Sequence, residues 1–238
     1  MTPDTRQKIQ VFLVIAIALA AIRVAYVFYE RRENNKPATA NQAPPLNPDY
    51  YVVPKKLHPY DLKSAKQLTE RPVWVIEGYR YTYYPYDPVR HRTNFKVEAG
   101  LLLPLQKLEI KDVITDITPG SSDQRQMMAV FPLFGKLYAF PIGSVQNGDY
   151  QIYSDDMLYI QDPRELYKHW PAETWAAIES HTVKPGMDEI QAGFAIGMGI
   201  PQRSSDPEIK TVKYPNGGKP VTITYRNGKA AEINNSPA

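Results

Sequence analysis

The chain has 238 residues, of which 28 are Lys or Arg and 25 are Asp or Glu, and its net charge is +3. Six of the 28 basic residues and three of the 25 acidic ones precede residue 37, so the remaining chain carries 22 of each sign. A neutral body argues against a nucleic-acid partner, which needs a basic face. The absence of cysteine excludes disulfides, thiolate metal sites and cysteine nucleophiles.

A mostly apolar run over residues 9–29 follows a short basic leader, residues 1–8. About 20 apolar residues cross a bilayer as a helix, and within lipid the backbone must bond internally. The run therefore predicts a transmembrane helix with the lipid bilayer as a partner. An arginine near its end can reach the headgroups, and tyrosines favour the interface. The residues of this predicted anchor are Ile9, Phe12, Leu13, Ile15, Leu19, Ile22, Arg23, Tyr26 and Tyr29.

The processing and the orientation of this run each have an alternative. A signal peptide cleaved near Ala18-Leu19-Ala20 is one reading, but the apolar character continues past Arg23 and stops at Glu30-Arg31-Arg32, which favours an uncleaved anchor. The Lys and Arg counts on the two sides lean slightly towards a cytoplasmic C-terminal domain. The basic leader favours the opposite, a single-pass protein of the bacterial inner membrane with the bulk of the chain in the periplasm.

Two segments follow the predicted anchor. Residues 30–49 are rich in Pro and Asn and predict an extended linker. Residues 50–163 predict a β-rich domain, in which a short helix after Asp61 is followed by alternating apolar residues and turn sequences such as Gln146-Asn147-Gly148-Asp149. About five short strands without intervening helices predict a small antiparallel barrel of the SH3-like type.

Residues 164–238 predict two helices followed by three antiparallel strands. Pro171 begins one helix, and Asp188 with Gln191 has the spacing of a capping box at the start of the next. The framework residues of this module are Gly186, Met187, Asp188, Gln191, Gly199, Pro201, Asn227 and Gly228. The predicted class is therefore membrane-anchored α+β, with a transmembrane helix, a β-barrel-like domain and a two-helix, three-strand module.

The module sequences VKPGMDEIQAGFAIGMGIP, KTVKYP and PVTITYRNGKAAEI resemble the BamE/SmpA family of envelope lipoproteins over about residues 172–233. This resemblance implies the fold of that family and a non-catalytic role, in which protein contacts stabilise an outer-membrane assembly machine. The chain differs from the family because it lacks a lipidated cysteine and carries an additional β-rich domain.

The residues that could carry chemistry are scattered. The histidines are His58, His91, His169 and His181. They have neither the pairing nor the spacing of a zinc site. Asp155-Asp156 fits a solvated turn, and Ser144 is not in a nucleophile elbow. We therefore expect no enzyme activity, no metal and no cofactor.

A tyrosine-rich segment is the only hint of a binding surface. Its tyrosines are Tyr79, Tyr81, Tyr83, Tyr84 and Tyr86. On a strand the first three share one face. Tyrosine and arginine are favoured at protein interfaces, and tyrosine also stacks on carbohydrates. The alternative is that one face is core and the other a half-buried sheet surface.

These observations predict a non-catalytic, single-span envelope protein that scaffolds or stabilises a protein assembly on the extracytoplasmic side. Its expected partners are one or more membrane or envelope proteins, with no nucleic acid and no small-molecule ligand. Two alternatives stay open. One is an accessory subunit of an inner-membrane complex held by its transmembrane helix, and the other is a cell-wall-binding module.

Overall fold

The computed structural model describes residues 3–34, 47–117, 120, 124–203, 206 and 209–235. The chain divides into two compact units, Met1–Tyr50 and Tyr51–Ala238. Helix α1, Pro3–Asn34, belongs to the first unit. It includes the first residues of the predicted linker, whose residues 35–46 lie outside the described part of the chain.

Among the residues that the structure describes, no helix is both long enough and apolar enough to cross a membrane. This finding contradicts the predicted transmembrane helix over residues 9–29. Among the described side chains of α1, the charged Arg23 lies within the predicted span, and Glu30 and Arg31 directly follow it.

The predicted anchor residues fall into two groups. The side chains of Ile9, Phe12, Leu13 and Ile15 lie outside the described part of the chain. The exposed members are Leu19, Ile22, Arg23, Tyr26 and Tyr29. The described half of α1 thus presents apolar side chains to its surroundings along its whole length.

Strands dominate the second unit, so the predicted membrane-anchored α+β class is wrong and the chain is mostly β. The helices after α1 are α2 (Leu62–Ala65), α3 (Ser154–Met157), α4 (Pro163–Leu166), α5 (Ala172–Glu179) and α6 (Glu189–Ile196). The strands are β1 (Val73–Val75), β2 (Thr82–Asp87), β3 (Arg92–Thr93), β4 (Gly100–Leu101), β5 (Lys107–Leu108), β6 (Asp112–Ile117), β7 (Gln124–Leu133), β8 (Lys136–Gln146), β9 (Asp149–Ile152), β10 (Leu158–Tyr159), β11 (Ile200–Pro201), β12 (Ile209–Tyr214), β13 (Val221–Arg226) and β14 (Lys229–Asn235).

The largest sheet has seven strands in the order β3-β2-β8-β7-β6, with β4 added on β2 and β9 added on β8. Its centre is the long β7–β8 hairpin, whose register runs from Gln124↔Gln146 to Leu133↔Lys136. Alternate side chains of β7 point to opposite faces, and residues 127–131 are all buried. Both faces of this strand are therefore covered.

The side chain of Asp116 links the two end strands of this sheet, so that the sheet is nearly closed into a barrel. The N–H of Thr93, on β3, donates to Asp116 Oδ2, on β6, over 2.6 Å. Asp116 Oδ1 accepts from the N–H of Ile117 over 2.8 Å. These bonds join the two end strands of the order through a buried carboxylate. The prediction of an SH3-like barrel with about five strands did not include this link between β3 and β6, because a bond between strands distant in sequence leaves no periodic signal.

The last part of the chain packs α5 and α6 on a four-stranded antiparallel sheet, β11-β12-β13-β14. The predicted module has three strands and lacks β11, because Gly199 and Pro201 indicate a helix end. In the structure, a Cβ added to Gly199 would lie 2.3 Å from Val212 Cγ1. Only glycine allows the chain to approach β12 this closely and then pair with it.

Three clusters of buried apolar side chains hold the second unit together. The first lies between α5, α6 and the four-stranded sheet and includes Trp170, Phe194 and Tyr214. The second includes Phe131 and Phe140 and packs on β1 and β5. The third, on the opposite face of the barrel-like sheet, is small and consists of Met128, Val130 and Ala139 with partly buried neighbours. The predicted division of the chain at residue 163 stays a prediction.

Candidate functional site

The five tyrosines of the predicted interaction surface are all half-buried and do not form one surface. Tyr81 and Tyr83 pack against the second cluster, and Tyr84 and Tyr86 pack against the third. The Tyr83 ring lies edge-on to Phe131 with the ring centroids 5.7 Å apart. Most of this aromatic segment therefore builds the barrel-like sheet.

Tyr79 has a different structural role. Its φ of 61° is in the left-handed region, which is uncommon for a bulky residue. Cβ atoms added to Gly217 and Gly197 would lie 2.8 Å and 3.2 Å from carbons of its ring. The ring thus occupies space that two glycines leave open, and burial raises the pKa of its hydroxyl.

A groove of ≈ 600 Å³ opens beside Tyr81 on the barrel-like sheet. A row of polar side chains crosses three of its strands, because Gln126 on β7 lies opposite Ser144 on β8, and Ser144 lies opposite Gln151 on β9. Gln124 shares the face of Gln126 at the next position of the period-two pattern. We call this set the glutamine row: Gln124, Gln126, Ser144 and Gln151 all line the groove.

Two features of β8 create the row. The β7–β8 register shifts between Met127 and Met128, which is a bulge, and bulges re-aim the neighbouring side chains. A Cβ added to Gly143 would lie 2.4 Å from the carbonyl oxygen of Gln151. Glycine at this position lets β9 approach β8 and brings Gln151 beside Ser144.

The end of the groove near β1 is charged. Arg80 pairs with Glu77 across 2.7 Å, and the Tyr81 hydroxyl donates to the same carboxylate over 3.4 Å. Burial, and then the nearby Glu77, raise the pKa of Tyr81 to about 12. Tyr153 borders the row, is 50% exposed, and donates its hydroxyl to Gln151 Oε1 over 2.9 Å. The groove therefore combines an ion pair, the Asp156 carboxylate, two phenols and a row of neutral donors and acceptors.

Of the other residues that the sequence singled out, Asp155 serves the fold, whereas Asp156 and Ser144 also line the groove. Asp155 accepts the N–H groups of Leu57 and His58 over 3.0 Å and 2.7 Å, and Asp156 pairs with Lys56 over 3.0 Å. Ser144 faces the groove and belongs to the glutamine row. Within the described residues, no group of three or more His, Asp or Glu side chains could hold a metal ion.

The framework residues of the C-terminal part also have structural positions. Asp188 and Gln191 form the capping box of α6, with both bonds at 3.0 Å. Gly186 has a φ of 88°, and Met187 is buried. The remaining members are Gly199 before β11, Pro201 within it, and Asn227 and Gly228 in the β13–β14 turn. None of these residues lines the groove.

The glutamine row is the feature that the sequence analysis missed. Its signal is Gln124 and Gln126 at period two on a strand, with Gln151 on a later strand. Comparisons with protein-family models, with curated proteins and with solved structures found no match. The resemblance to the BamE/SmpA family therefore stays a prediction.

Proposed function

We propose that the chain is a non-catalytic scaffold protein that holds a partner protein of the cell envelope in the groove beside Tyr81. The observation that supports this most is the cross-strand row Gln126–Ser144–Gln151, bordered by the exposed Tyr153 and the Glu77–Arg80 pair. Tyrosine and arginine are enriched at protein interfaces. Neutral amides and hydroxyls supply both donors and acceptors for the backbone of an extended chain.

The residues of the groove favour binding over catalysis. The Tyr81 phenol has a raised pKa and stays protonated near neutral pH, so it acts there as a donor and not as a base. Its partner Glu77 is held by Arg80. A partner chain would contact side chains that are already positioned, and this preorganisation lowers the entropy cost of binding.

Site-specific photo-cross-linking tests this proposal. A benzophenone amino acid replaces Tyr153 in one variant and the 78% exposed Tyr60, which does not line the groove, in a control variant. We expect a protein adduct of discrete size at position 153 and none at position 60. Adding Arg80→Ala or Gln126→Ala to the variant with the benzophenone at position 153 should lower the yield of its cross-linked adduct. Equal labelling at both positions, or none at either, would count against the groove.

The second candidate function is binding of a cell-wall glycan. The uncharged glutamine row next to the exposed Tyr153 ring favours it, because amides and hydroxyls bond sugar hydroxyls and an aromatic ring stacks on a sugar face. Sedimentation of the full chain with purified peptidoglycan, beside a Gln151→Ala/Tyr153→Ala variant, separates the two functions. Absence of retention of the unmodified chain would rule this candidate out.

The extracytoplasmic location is part of the proposal. A reporter fused after Ala238 that is active only outside the cytoplasm tests it. We expect activity, and a silent reporter together with an active cytoplasmic one would place the partner in the cytoplasm.

A further inference from the structure

Two turns of the barrel-like sheet expose the most accessible large apolar side chains of the described residues. Phe134, in the β7–β8 turn, is 93% exposed, and Val89, between β2 and β3, is 87% exposed. Strands β2 and β8 are antiparallel with Pro85 opposite Tyr138. Two residues further, the end of β2 is level with the start of β8, so both turns lie at the same end of the sheet.

The identity of Phe134 is not explained by the stability of its turn. Phe134 and Gly135 have φ values of 48° and 75°, the two positive φ angles of a type I′ turn. Such a turn favours Asn, Asp or Gly at its first position, whereas a bulky residue there is strained. A strained, solvent-exposed aromatic residue points to a role outside the chain.

The neighbouring turn is held in a fixed conformation. Asp87 Oδ1 accepts the N–H of Val89 over 2.9 Å and that of Arg90 over 3.1 Å. Asp87 also pairs with Arg90 Nε across 3.8 Å. Val89 is therefore presented by an ordered loop.

Basic side chains surround the two apolar ones. Arg90, Arg92 and Lys136 are exposed at this end of the sheet. Within the described part of the chain, Arg92 and Lys136 form no ion pair, and Asp87 balances only Arg90. The two turns therefore carry three basic side chains and one carboxylate, Asp87, around two protruding apolar groups.

We propose that this end of the sheet docks on an anionic lipid surface. Phe134 and Val89 would enter the boundary between headgroups and acyl chains, and Arg90, Arg92 and Lys136 would contact the phosphates. Two apolar side chains that stand out singly from turns suit a lipid interface, because a bilayer needs no complementary pocket, whereas a protein partner does. This docking is independent of the groove and of the proposed scaffold function.

The absence of cysteine makes a direct test possible. Phe134→Cys and, as a control, Tyr60→Cys are each labelled with an environment-sensitive fluorophore in the full chain. Vesicles of phosphatidylcholine alone are compared with vesicles that also contain phosphatidylglycerol. We expect a several-fold rise and a blue shift in emission at position 134 on the anionic vesicles only, and no change at position 60.

Three unlabelled variants complete the test. Phe134→Asn should keep the Tm or raise it, because asparagine suits the turn, while vesicle affinity falls roughly tenfold. Lys136→Gln should weaken binding roughly fivefold, and the exposed Lys168→Gln should not. An unchanged signal at position 134 on anionic vesicles would overturn the proposal. It would favour insertion of Phe134 into a pocket of a partner protein. An equal signal on neutral vesicles, or full affinity of Phe134→Asn, would also overturn it.

Discussion

Two glycines of the second unit have opposite steric surroundings. A Cβ added to Gly78 would lie 2.1 Å from the nitrogen and 2.3 Å from the Cα of Pro104, whereas one added to Gly193, within α6, meets nothing within 4 Å. We expect Gly78→Ala to lower the free energy of unfolding by about 3 kcal/mol, because a backbone neighbour has to move. Gly193→Ala should raise it by about 0.5–1 kcal/mol, the difference in helix propensity. Urea denaturation measures both, and equal effects would contradict this account.

The pKa of Tyr81 predicts a loss of stability at alkaline pH. Burial raises this pKa to about 12, whereas an unfolded tyrosine titrates near 10. The folded state therefore holds the proton more tightly, and its contribution to stability is complete below about pH 10 and is lost as the pH rises to about 12. For a half-buried ring the loss is less than about 1.4 kcal/mol per pH unit, because solvent screens the charge.

Tyr81→Phe provides the comparison, since it removes the ionisation. Unfolding free energies from pH 9 upwards should diverge, with the unmodified chain losing stability relative to the variant. Parallel curves would show that the hydroxyl of Tyr81 is accessible to solvent when the chain is folded.

Sequence spacing predicts the role of a residue well where its interaction partner is close in sequence. The distance from Asp188 to Gln191 indicates a capping box, and the structure has both of its bonds. The left-handed φ of Tyr79 could not be predicted in this way. Its ring fills space beside Gly197 and Gly217, which are distant in sequence.

At the scale of elements, a hydroxyl pair links strands β12 and β13. Tyr214 Oη and Tyr225 Oη are 2.7 Å apart and buried. Tyr214→Phe leaves the other hydroxyl buried without this partner, so we expect a loss of about 1–3 kcal/mol in the free energy of unfolding. The Tyr214→Phe/Tyr225→Phe double variant should lose less than the sum of the single variants. A double-mutant cycle by urea denaturation measures the coupling free energy between the two hydroxyls. Additive losses of stability would contradict the expected coupling.

The groove could not be predicted because it depends on strand register. Gln126, Ser144 and Gln151 become neighbours only when the β7–β8 and β8–β9 hairpins form and the β7–β8 hairpin carries its bulge. A shift of one residue would turn each side chain to the other face. The sequence indicated a turn such as Gln146-Asn147-Gly148-Asp149, but not the bulge.

At the scale of the whole molecule, the predicted class failed for two physical reasons. Among the described residues, no helix is both long enough and apolar enough to cross a membrane, which contradicts the predicted span. The described α-helices of the second unit have at most eight residues, whereas strands make most of its fold, and the pairing of β2 with the distant β8 enlarges the main sheet. Local periodicity cannot show how many strands one sheet collects.

Division of the chain into two compact units predicts that the second unit folds without the first. All the buried side chains of the three apolar clusters belong to it, from Ala65 to Ala230. The described part of α1 instead exposes large apolar side chains, with Val14, Ile17, Leu19, Ile22, Val24, Tyr26, Val27, Phe28 and Tyr29 between 41% and 67% accessible. Exposed apolar surface of this extent promotes association.

We therefore expect a chain that begins at residue 47 to keep the Tm of the full chain within about 2 °C, a shift that corresponds to less than about 1 kcal/mol. It should also elute as a monomer where the full chain self-associates in the absence of detergent. Thermal unfolding followed by circular dichroism and size-exclusion chromatography measure these two properties. The full chain carrying Ile17→Ser and Phe28→Ser is the matched control, because it keeps α1 and reduces its apolar surface. If the shortened chain unfolded at a much lower temperature, α1 would be part of the stability of the second unit, and its apolar side chains would have a role within the chain.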